Sequence, residues 1–375
     1  MEKEQSGQEH GGPAAGPAID LTTLRAEIDE LDEHIAGLLQ RRAAVSLQVG
    51  RAKGGAGQSV PVYVPDREAV VLQHVRSIAG PLSPDAVVGI YREILSASRS
   101  LQRPVRVAHL GPAATFGHEA ALAHFGRSTT LVPVTTNSDV FTSVEKGDAD
   151  YGLVPFENSS EGPVNEVLDR LVDTELRVCA EVTIPVAQTL VSKAGRLADV
   201  QRVRSHPQAL GQTRGWLAQY LPHAAVEPTS STGLAAEQAA ADPTLAAVAP
   251  RIAAEVFDLH VLAENIQDVS GNYTRFLVLG PARVGAPSGR DRTGLVFSIK
   301  DRVGALRDLT DAFASYAVNL SSIQSRPSKR RVWDYVFFVE LDGHIAEERV
   351  RQALKRAEEH TQFLKVLGSW PADES

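Results

Sequence analysis

Apolar residues recur every three or four positions along the first part of the chain. Over Leu21–Lys53 they follow one face of an amphipathic helix of about 30 residues, which the glycines after Lys53 end. Similar patterns predict helices over Asp66–Ile78 and Pro84–Gln102. We therefore expect an all-α domain over residues 19–103. Residues 1–18 are rich in Gly, Glu and Gln and are expected to form a disordered tail.

After residue 103 the spacing of the apolar positions changes. Short apolar runs alternate with helical patterns, which predicts an α/β domain with largely parallel sheets over residues 104–281. The strand-like runs are Val105–Leu110, Tyr151–Val154, Thr183–Val191, Leu245–Ala249 and Phe276–Leu279.

The last part of the chain follows a stretch over residues 282–292 that is rich in Pro, Gly and Arg and is interpreted as a linker. Residues 293–371 then show the order β-α-β-β-α-β, which is typical of a ferredoxin-like α+β domain. The predicted elements are Gly294–Lys300, Ala305–Ala317, Asn319–Ser325, Val332–Leu341, Ala346–Glu359 and Phe363–Gly368.

Composition narrows the class of protein. A chain of 375 residues is long enough for two or three domains, and its net charge of −8 disfavours broad binding to nucleic acid or to anionic membranes. Cys179 is the only cysteine, which excludes an intrachain disulfide and a cysteine-based zinc site. No apolar run approaches the roughly 20 residues of a membrane span, and the N-terminus has no apolar signal core. We expect a cytoplasmic protein that uses neither a metal nor a cofactor.

Four motifs in the central segment follow or flank predicted strands. Taken singly, each also fits a structural role, such as a turn or a helix cap. Together they supply hydroxyls, amides and one arginine, which suits an anionic substrate whose reaction needs positioned proton donors. The segment has no Gly-x-Ser-x-Gly, His-Glu-x-x-His or phosphate-loop motif. The four motifs are Gly111-Pro-Ala-Ala-Thr-Phe116, Pro155-Phe-Glu-Asn-Ser159, Ser205-His-Pro-Gln208 and Asn272-Tyr-Thr-Arg-Phe276.

In this order, the motifs resemble those of prephenate dehydratase over essentially all of residues 105–280. The resemblance implies two α/β subdomains around a cleft, as in periplasmic binding proteins. It implies that Thr274 assists loss of the ring hydroxyl and that Arg275 holds a substrate carboxylate. The family usually has glycine near Ala114 and serine near Gly117. The resemblance places further residues along the cleft: Thr115, Glu157, Asn158, Ser159, Ser205, His206, Gln208 and Phe276.

The helical segment carries charged and polar residues at informative spacings, although charges on a long helix can also form its solvated face. Arg42 and Lys53 are 11 residues apart, about three turns, and Ser98 and Gln102 are at i and i+4. Arg25 and Arg42 are 17 residues apart, roughly 25 Å along a helix. If both arginines serve one small substrate, Arg25 must come from a second subunit.

Residues 20–103 resemble the all-helical bacterial chorismate mutases, which are intertwined dimers. The resemblance is carried by Leu24-Arg25, Leu38-Leu-Gln-Arg-Arg42, Val49-Gly-Arg-Ala-Lys53, Asp66-Arg-Glu68 and Ser98-x-x-x-Gln102. It implies that two arginines clamp the carboxylates while a lysine and a glutamine flank the ether oxygen. The implied substrate-binding set is Arg25, Arg42, Lys53, Val64, Arg67, Glu68, Ser98 and Gln102. Among these residues, Val64 stands where the family often has an acidic residue. The Gly54–Ser59 loop is also longer than the commonest version of this loop in the family.

Two motifs of the C-terminal segment, Gly304-Ala305-Leu306 and Gln324-Ser325-Arg326-Pro327, also fit a strand–helix turn and a strand end. With the order of elements, they resemble the ACT regulatory domain of the phenylalanine-binding type. The resemblance implies that phenylalanine binds between paired domains at both motifs and inhibits the enzyme. The family usually has glutamate where this chain has Gln324. A neutral amide attracts an amino group less than a carboxylate does, so weaker inhibition is expected.

The leading hypothesis is a bifunctional enzyme of phenylalanine biosynthesis. It rearranges chorismate to prephenate, converts prephenate to phenylpyruvate with loss of water and CO2, and is inhibited by phenylalanine as a homodimer or higher homo-oligomer. Two alternatives remain open at this point. The helical domain could serve only as a dimerisation module of a dehydratase, or the chain could be a solute-binding or amino-acid-sensing protein.

Overall fold

A computed structural model describes residues 20–54, 61–78, 80–281, 284–300, 302–327 and 335–373 of the chain. The tail predicted over residues 1–18 and the long loop predicted after Gly54 lie outside the described residues. No helix in these ranges is long and apolar enough to cross a membrane.

The N-terminal domain consists of three helices, as predicted: α1 (Leu21–Gly54), α2 (Pro65–Arg76) and α3 (Pro84–Gln102). The Ser83 hydroxyl accepts a hydrogen bond from Ala86 N (3.2 Å) and caps the start of α3. Helices α1 and α3 approach closely at Gly50, where a Cβ atom would lie 3.0 Å from Cγ of Gln102. The remaining, N-terminal part of α1 extends away from this contact, and every side chain from residue 21 to residue 41 is exposed.

The central domain contains eleven strands and seven α-helices within residues 106–280. The strands are β1 (Arg106–Leu110), β2 (Thr130–Val134), β3 (Tyr151–Asn158), β4 (Gly162–Pro163), β5 (Arg177–Pro185), β6 (Thr189–Ser192), β7 (Arg202–Ser205), β8 (Ala225–Pro228), β9 (Leu245–Ala249), β10 (His260–Ala263) and β11 (Tyr273–Gly280). The helices are α4 (Phe116–Phe125), α5 (Asn137–Glu145), α6 (Asn165–Asp173), α7 (Pro207–Gln212), α8 (Arg214–Tyr220), α9 (Thr232–Ala241) and α10 (Ile252–Phe257).

These elements form two subdomains, each built on its own sheet. The first sheet has the order β2-β1-β3-β11-β5, with β4 beside β3, and the second has the order β10-β6-β9-β7-β8. The chain crosses between the sheets twice, after β5 and before β11. The α/β prediction is confirmed, whereas the expectation of largely parallel sheets is wrong. Strand β11 runs antiparallel to both β3 and β5, and β6 runs antiparallel to β9 and β10.

The apolar run predicted as one unit over residues 183–191 belongs to two strands in different sheets. Strand β5 ends at Pro185, which lacks the N–H needed to continue a ladder. The buried Gln188 follows at the crossing, where its side chain donates a hydrogen bond to Oε1 of Gln212 (3.0 Å). A run of apolar residues does not reveal that the chain changes sheets within it.

The C-terminal domain has the predicted β-α-β-β-α-β order: β12 (Asp291–Ile299), α11 (Ala305–Ala314), β13 (Leu320–Pro327), β14 (Tyr335–Asp342), α12 (Glu348–Glu358) and β15 (Thr361–Pro371). Its antiparallel sheet has the order β13-β14-β12-β15. One face of the sheet packs on α11 and α12, and the other packs on the central domain.

The central and C-terminal domains share one hydrophobic core. Phe338 and Trp370 of the C-terminal sheet pack in the same buried cluster as Phe156 and Leu277 of the central sheet. The two backbones come so close that a Cβ atom on Gly368 would lie 2.0 Å from the carbonyl oxygen of Val178. Only glycine, which has no Cβ atom, allows the backbones to come this close. The close approach and the shared core join the two domains into one packed unit.

Tyr63 attaches the helical domain to the central domain. It is buried, its hydroxyl lies 2.6 Å from Nε2 of His124, and its carbonyl oxygen accepts a hydrogen bond from the Tyr151 hydroxyl (3.1 Å). Burial, together with the charges of the nearby Arg92 and Arg99, lowers the pKa of His124 to about 3. The contact is therefore built around a neutral imidazole.

We predict that acid weakens this contact. An imidazole whose pKa falls from 6.5 to about 3 on folding contributes stability that is complete above pH 6.5 and is lost as the pH falls towards 3. The melting temperature is expected to fall by roughly 2–8 °C between pH 7 and pH 5. In His124→Gln, which can still bond to Tyr63 but does not titrate, this fall should be smaller. His74→Gln, an exposed change on α2, is the matched control. An unchanged pH profile in His124→Gln would refute the assignment.

Candidate active sites

A cavity of about 200 Å³ lies between the three helices of the N-terminal domain. Most of the polar residues predicted for the mutase site contribute to it. The lining residues are Arg42, Ser46, Lys53, Val62, Val64, Arg67, Glu68, Val71, Leu95, Ser98, Arg99 and Gln102. The cavity is cationic, with four arginine or lysine side chains and one carboxylate, and therefore suits a small anion with more than one negative charge.

Hydrogen bonds hold the polar wall of this cavity in place. Arg42 donates to the Ser98 hydroxyl, which in turn donates to the carbonyl oxygen of Ile94 (2.7 Å). Lys53 Nζ donates to the carbonyl oxygen of Pro61 (3.0 Å). Oε1 of Gln102 is buried and has no hydrogen-bond partner within the part of the chain that the structure describes. The Gln102 oxygen is thus available as an acceptor to a bound molecule, while its Nε2 group donates to the carbonyl oxygen of Ser98 (3.5 Å).

Glu68 is already paired in this cavity. It accepts a hydrogen bond from Arg99, which also donates to the carbonyl oxygen of Phe125 at the end of α4 in the central domain. Burial raises the pKa of Glu68, while the charge and hydrogen bond of Arg99 act in the opposite direction. Arg99 was not among the predicted site residues. Its spacing of four positions from Leu95 and three from Gln102 places it on the same helical face, and this signal could have identified it.

Arg25 does not reach the cavity of its own chain. It lies on the exposed part of α1, which is one unbroken helix from Leu21 to Gly54. The 17 positions between Arg25 and Arg42 correspond to roughly 25 Å along the axis. The structure thus brings together seven of the eight residues predicted for this site and leaves out Arg25.

A second, larger cavity of about 460 Å³ lies in the central domain at the ends of β1, β3 and β11. Its lining includes five residues predicted for the dehydratase site: Thr115, Asn158, Gln208, Thr274 and Phe276. The other lining residues are Leu110, Gly111, Phe116, Gly117, Leu153, Pro155, Glu161, Gly162, Pro163 and Val164. Its only charged lining residue is Glu161, which is hydrogen-bonded to Gln208.

The orientation of Thr274 follows from the hydrogen bonds of Asn158. Oδ1 of Asn158 accepts from the backbone N–H groups of Ser160 (3.0 Å) and Glu161 (3.2 Å), so its Nδ2 group faces Thr274. Nδ2 donates to Oγ1 of Thr274 at 2.9 Å. Since the Thr274 oxygen accepts this bond, its own O–H is left to donate to a molecule in the cleft.

The helix α4 begins at the cleft. Thr115 caps it by accepting a hydrogen bond from the His118 N–H (3.4 Å), and the first turn points its N–H groups towards the cavity. Ala114, just before the cap, has a φ of 61°, a left-handed conformation that favours glycine. Glycine would fit this position without the strain. Burial lowers the pKa of His118, so its imidazole is neutral at pH 7 and accepts from Ala114 N (2.9 Å).

Three other predicted residues border the cleft without lining the cavity. Ser159 bonds to Asn272 (3.2 Å) and to Tyr273 N (2.9 Å), and thus holds the start of β11. Ser205 is fully buried and donates to the carbonyl oxygen of Val248 (2.5 Å). His206 caps α7 through Gln208 N (3.3 Å). The geometry gives these three side chains structural contacts.

Arg275 and Glu157 lie on the opposite face of the central sheet from the cleft. Side chains alternate along a strand, so Thr274 and Phe276 face the cavity while Arg275 faces the C-terminal domain. Its guanidinium group binds both carboxylate oxygens of Glu340, at 2.8 and 2.9 Å. The expectation that Arg275 holds a substrate carboxylate therefore needs correction, because in this structure the side chain is occupied elsewhere.

Gln208 links the two subdomains across the cleft. Its Nε2 group donates to Oε1 of Glu161 at 2.6 Å, so a residue of the second subdomain binds a residue of the first. Glu161 was not predicted. No local sequence signal could have identified it, because the pairing joins positions 47 residues apart on two sheets.

The two predicted effector motifs lie at the same end of the C-terminal sheet. Phe297 of β12 and Ser325 of β13 both lie opposite Phe337 of the intervening β14, and α11 begins after Gly304. Arg326 does not point to solvent. It donates to the carbonyl oxygen of Asn165 (2.6 Å) and pairs with Asp169 (3.1 Å) on α6.

Gln324 also faces the central domain. It lines a small gap between the two sheets together with Glu340, and its Oε1 atom is buried without a partner among the described residues. A glutamate at this position would bring a second carboxylate next to Glu340. Local electrostatics thus give a physical reason for the neutral amide in this chain.

Comparison with protein families matches three models in the order of the domains. Chorismate mutase type II matches residues 24–103, prephenate dehydratase matches residues 107–283, and the ACT domain matches residues 293–359. A curated relative from Aquifex aeolicus, a bifunctional chorismate mutase/prephenate dehydratase, is 44% identical over 94% of this chain and 98% of its own length.

Two solved structures are similar to nearly three quarters of this chain. A prephenate dehydratase from Arthrobacter aurescens, in complex with L-Phe, is 35% identical, covers 72% of this chain and 90% of its own, and has a TM-score of 0.65. A protein described as a quorum-quenching acylase is 26% identical, covers 72% of this chain and 98% of its own, and has a TM-score of 0.66. Since the architecture also occurs in a protein with another activity, function has to be argued from sites and close relatives.

These domains and relatives define a multidomain enzyme of aromatic metabolism with one domain for each of two successive reactions. The chain belongs to the family of bifunctional chorismate mutase/prephenate dehydratases. The helical domain rearranges chorismate to prephenate, and the central domain removes water and CO2 from prephenate.

Proposed function

We propose that the Thr274 hydroxyl donates a hydrogen bond to the departing ring hydroxyl in the dehydratase cleft. The observation that carries the proposal is the bond from Asn158 Nδ2 to Thr274 Oγ1 (2.9 Å), which leaves the threonine O–H as a donor towards the cavity. As the C–C bond to the ring carboxylate breaks, its electrons aromatise the ring and the C–O bond to the hydroxyl breaks. The donated bond stabilises the charge that develops on the departing oxygen, which takes up a proton from solvent and leaves as water.

The substrate's anionic groups are held by dipoles in this proposal. No arginine or lysine is among the lining residues of the cleft, and Arg275 is engaged by Glu340. The backbone N–H groups at the start of α4 are the anion-binding groups that remain, because the Gln208 amide already donates to Glu161 (2.6 Å) and the Thr115 hydroxyl to backbone carbonyl oxygens. Dipoles bind a carboxylate without neutralising it, so the ring carboxylate can still leave as neutral CO2.

Replacing Thr274 tests this role. Thr274→Ala should lower the dehydratase kcat by about 10²–10³-fold, the usual effect of removing one such donor. Thr274→Ser keeps the hydroxyl and should stay within about tenfold of the wild type. Phenylpyruvate formation is the readout, with chorismate consumption in the same sample as a check on folding. Thr130→Ala, an exposed change on β2, is the control. Near-normal turnover by Thr274→Ala would reject the role.

We also propose that the mutase site is completed by Arg25 of a second copy of the chain. The exposed part of α1 presents apolar side chains that are 39–67% exposed, among them Leu24, Ile28, Leu31, Ile35 and Leu38. A continuous apolar face of this length indicates a protein contact. Pairing α1 with α1 of a second copy would cover these side chains and carry Arg25 to the partner's cavity. Arg42 and Arg25 would then clamp the two carboxylates of chorismate.

Lys53 and Gln102 support the chemical step of the mutase. The rearrangement breaks the ether C–O bond while a C–C bond forms, and negative charge grows on the ether oxygen. The Lys53 ammonium group and the Gln102 Nε2 group stabilise that charge once Nε2 is released from the carbonyl oxygen of Ser98 (3.5 Å), and the arginine clamp selects the compact conformer of the substrate. Glu68 and Ser98 provide further polar contacts in this arrangement, and Val64 an apolar one.

Mixing two inactive variants tests the sharing of arginines. Arg25→Ala and Arg42→Ala should each lose most chorismate turnover. In a mixed dimer, the chain that keeps Arg42 receives Arg25 from its partner, so one of two sites is complete. Random mixing should therefore restore about a quarter of the wild-type activity. Each variant mixed with itself is the control. If Arg25 served its own chain, no mixture would recover activity.

Phenylalanine is the effector that the C-terminal domain is proposed to bind. Support comes from the ACT family match, from the position of both effector motifs at one end of the sheet, and from a relative whose structure contains L-Phe. Binding between paired ACT domains would change how the C-terminal sheet holds the dehydratase domain, because the two share a core. Location in the cytoplasm stays a prediction.

Titration with phenylalanine tests this regulation. L-phenylalanine should inhibit phenylpyruvate formation by the wild type, and D-phenylalanine is the matched control. If phenylalanine binding turns residue 324 out of the gap beside Glu340, Gln324→Glu should lower the concentration that gives half inhibition by about three- to tenfold, since a carboxylate binds an ammonium group more strongly than an amide does. Equal curves for Gln324→Glu and the wild type would reject the effect assigned to Gln324. No inhibition of either protein would reject the regulation itself.

A further inference from the structure

Strand β11 presents alternate residues to two different domains. Thr274 and Phe276 line the dehydratase cleft, and Arg275 between them faces the C-terminal domain. The side chain of Arg275 is only 15% exposed, and its guanidinium carbon lies 4.8 Å from the centre of the Phe156 ring. Whatever holds Arg275 therefore also acts on the backbone that carries Thr274.

The shortest hydrogen bonds of Arg275 are to a residue of the C-terminal domain. Glu340, on the central part of β14, accepts two parallel hydrogen bonds from the guanidinium group, at 2.8 and 2.9 Å. The Glu340 side chain is 8% exposed. Bidentate arginine–carboxylate pairs fix orientation as well as distance, and burial strengthens the pair relative to one in water.

The other partners of Arg275 are more distant. Glu181 lies 3.4 Å away and Glu157 3.5 Å away, and both belong to the central domain. Arg292 of β12 takes up Glu181 with contacts of 3.0 and 3.1 Å. The cluster thus holds three carboxylates and two guanidinium groups, and Glu340, which also lies 3.9 Å from Arg292, makes the shortest contacts to Arg275.

Strand β11 pairs regularly with β5 from Tyr273 to Val278 but irregularly with β3. The ladder between β11 and β3 is regular from Phe276 to Leu279, but its register shifts between Arg275 and Phe276. The irregularity therefore falls next to Thr274. Bulges of this kind re-aim side chains, and the hydrogen bonds from Arg275 to Glu340 add a constraint on the side of the strand that faces the C-terminal domain.

We propose that Glu340 of the C-terminal domain is a positioning residue for the dehydratase reaction. Through its two hydrogen bonds to Arg275 it holds β11 where the register with β3 shifts, so that the Thr274 hydroxyl and the Phe276 ring contact the substrate. The inference rests on the role proposed for Thr274 and extends it to a residue of another domain. It does not depend on phenylalanine.

The experiment compares Glu340→Gln with the matched control Asp342→Asn in the full-length protein. Both changes neutralise one carboxylate of β14, but Asp342 is exposed and binds Asn319 (2.7 Å), away from the central domain. A glutamine side chain has one acceptor oxygen in place of the two carboxylate oxygens of Glu340, so it loses one of the two hydrogen bonds from Arg275. The Arg275 side chain should then shift towards Glu181 and Glu157. The dehydratase kcat should fall by about tenfold or more, with KM within about twofold, because a misplaced donor affects the transition state more than binding.

Chorismate consumption by the same samples separates positioning from folding. The mutase cavity lies in another domain, so Glu340→Gln should leave mutase turnover unchanged. A parallel loss of both activities would mean that Glu340 stabilises the whole chain, and it would overturn the proposal. Wild-type kcat and KM in Glu340→Gln would also overturn it. Glu340→Asp, which keeps the charge on a shorter side chain, should recover part of the lost kcat.

Failure of this inference is distinguishable from failure of the Thr274 role. If Thr274→Ala is inactive while Glu340→Gln has normal turnover, Thr274 keeps its role and the positioning by Glu340 is rejected. If Thr274→Ala is active, a lower kcat in Glu340→Gln has to act through Phe276 or the cleft wall, and the proposal as stated is rejected.

Discussion

Successive side chains of a β-strand point to opposite faces of its sheet, and this constraint governs the centre of the molecule. Strand β11 is covered on both faces, by the dehydratase cleft on one side and by the C-terminal domain on the other. Thr274 can therefore serve the cleft only if Arg275 is accommodated in the interface behind it. The buried carboxylates of Glu181 and Glu340 meet that requirement.

The same constraint explains what the sequence could and could not predict. Helix and strand periods are local, so α3 and β9 were predicted with the bounds that the structure has, and so was the order of elements in the C-terminal domain. The face to which a residue turns depends on partners far along the chain. Arg275 stands beside Thr274 in one motif, and its partner Glu340 is 65 residues away. A motif identifies both residues without separating their roles.

Non-local packing also accounts for the other differences between the structure and the sequence-based predictions. The antiparallel position of β11 arises because the chain returns from the second subdomain into the middle of the first sheet, a topology that no apolar pattern encodes. Arg99 joins the mutase cavity to the end of α4, whose first turn faces the dehydratase cleft. The two candidate sites therefore share one helix of ten residues, about 15 Å long.

The interface between the central and C-terminal domains combines apolar packing with a buried ionic cluster, and the two contribute differently. Burial of Phe156, Leu277, Phe338 and Trp370 stabilises contact between the sheets but tolerates small slides, because apolar attraction has little direction. A buried ion pair adds little net stability, since desolvation offsets much of the attraction. It does penalise any displacement that breaks its hydrogen bonds. The apolar core therefore holds the domains together, and the two hydrogen bonds between Arg275 and Glu340 fix the direction of the contact beside Thr274.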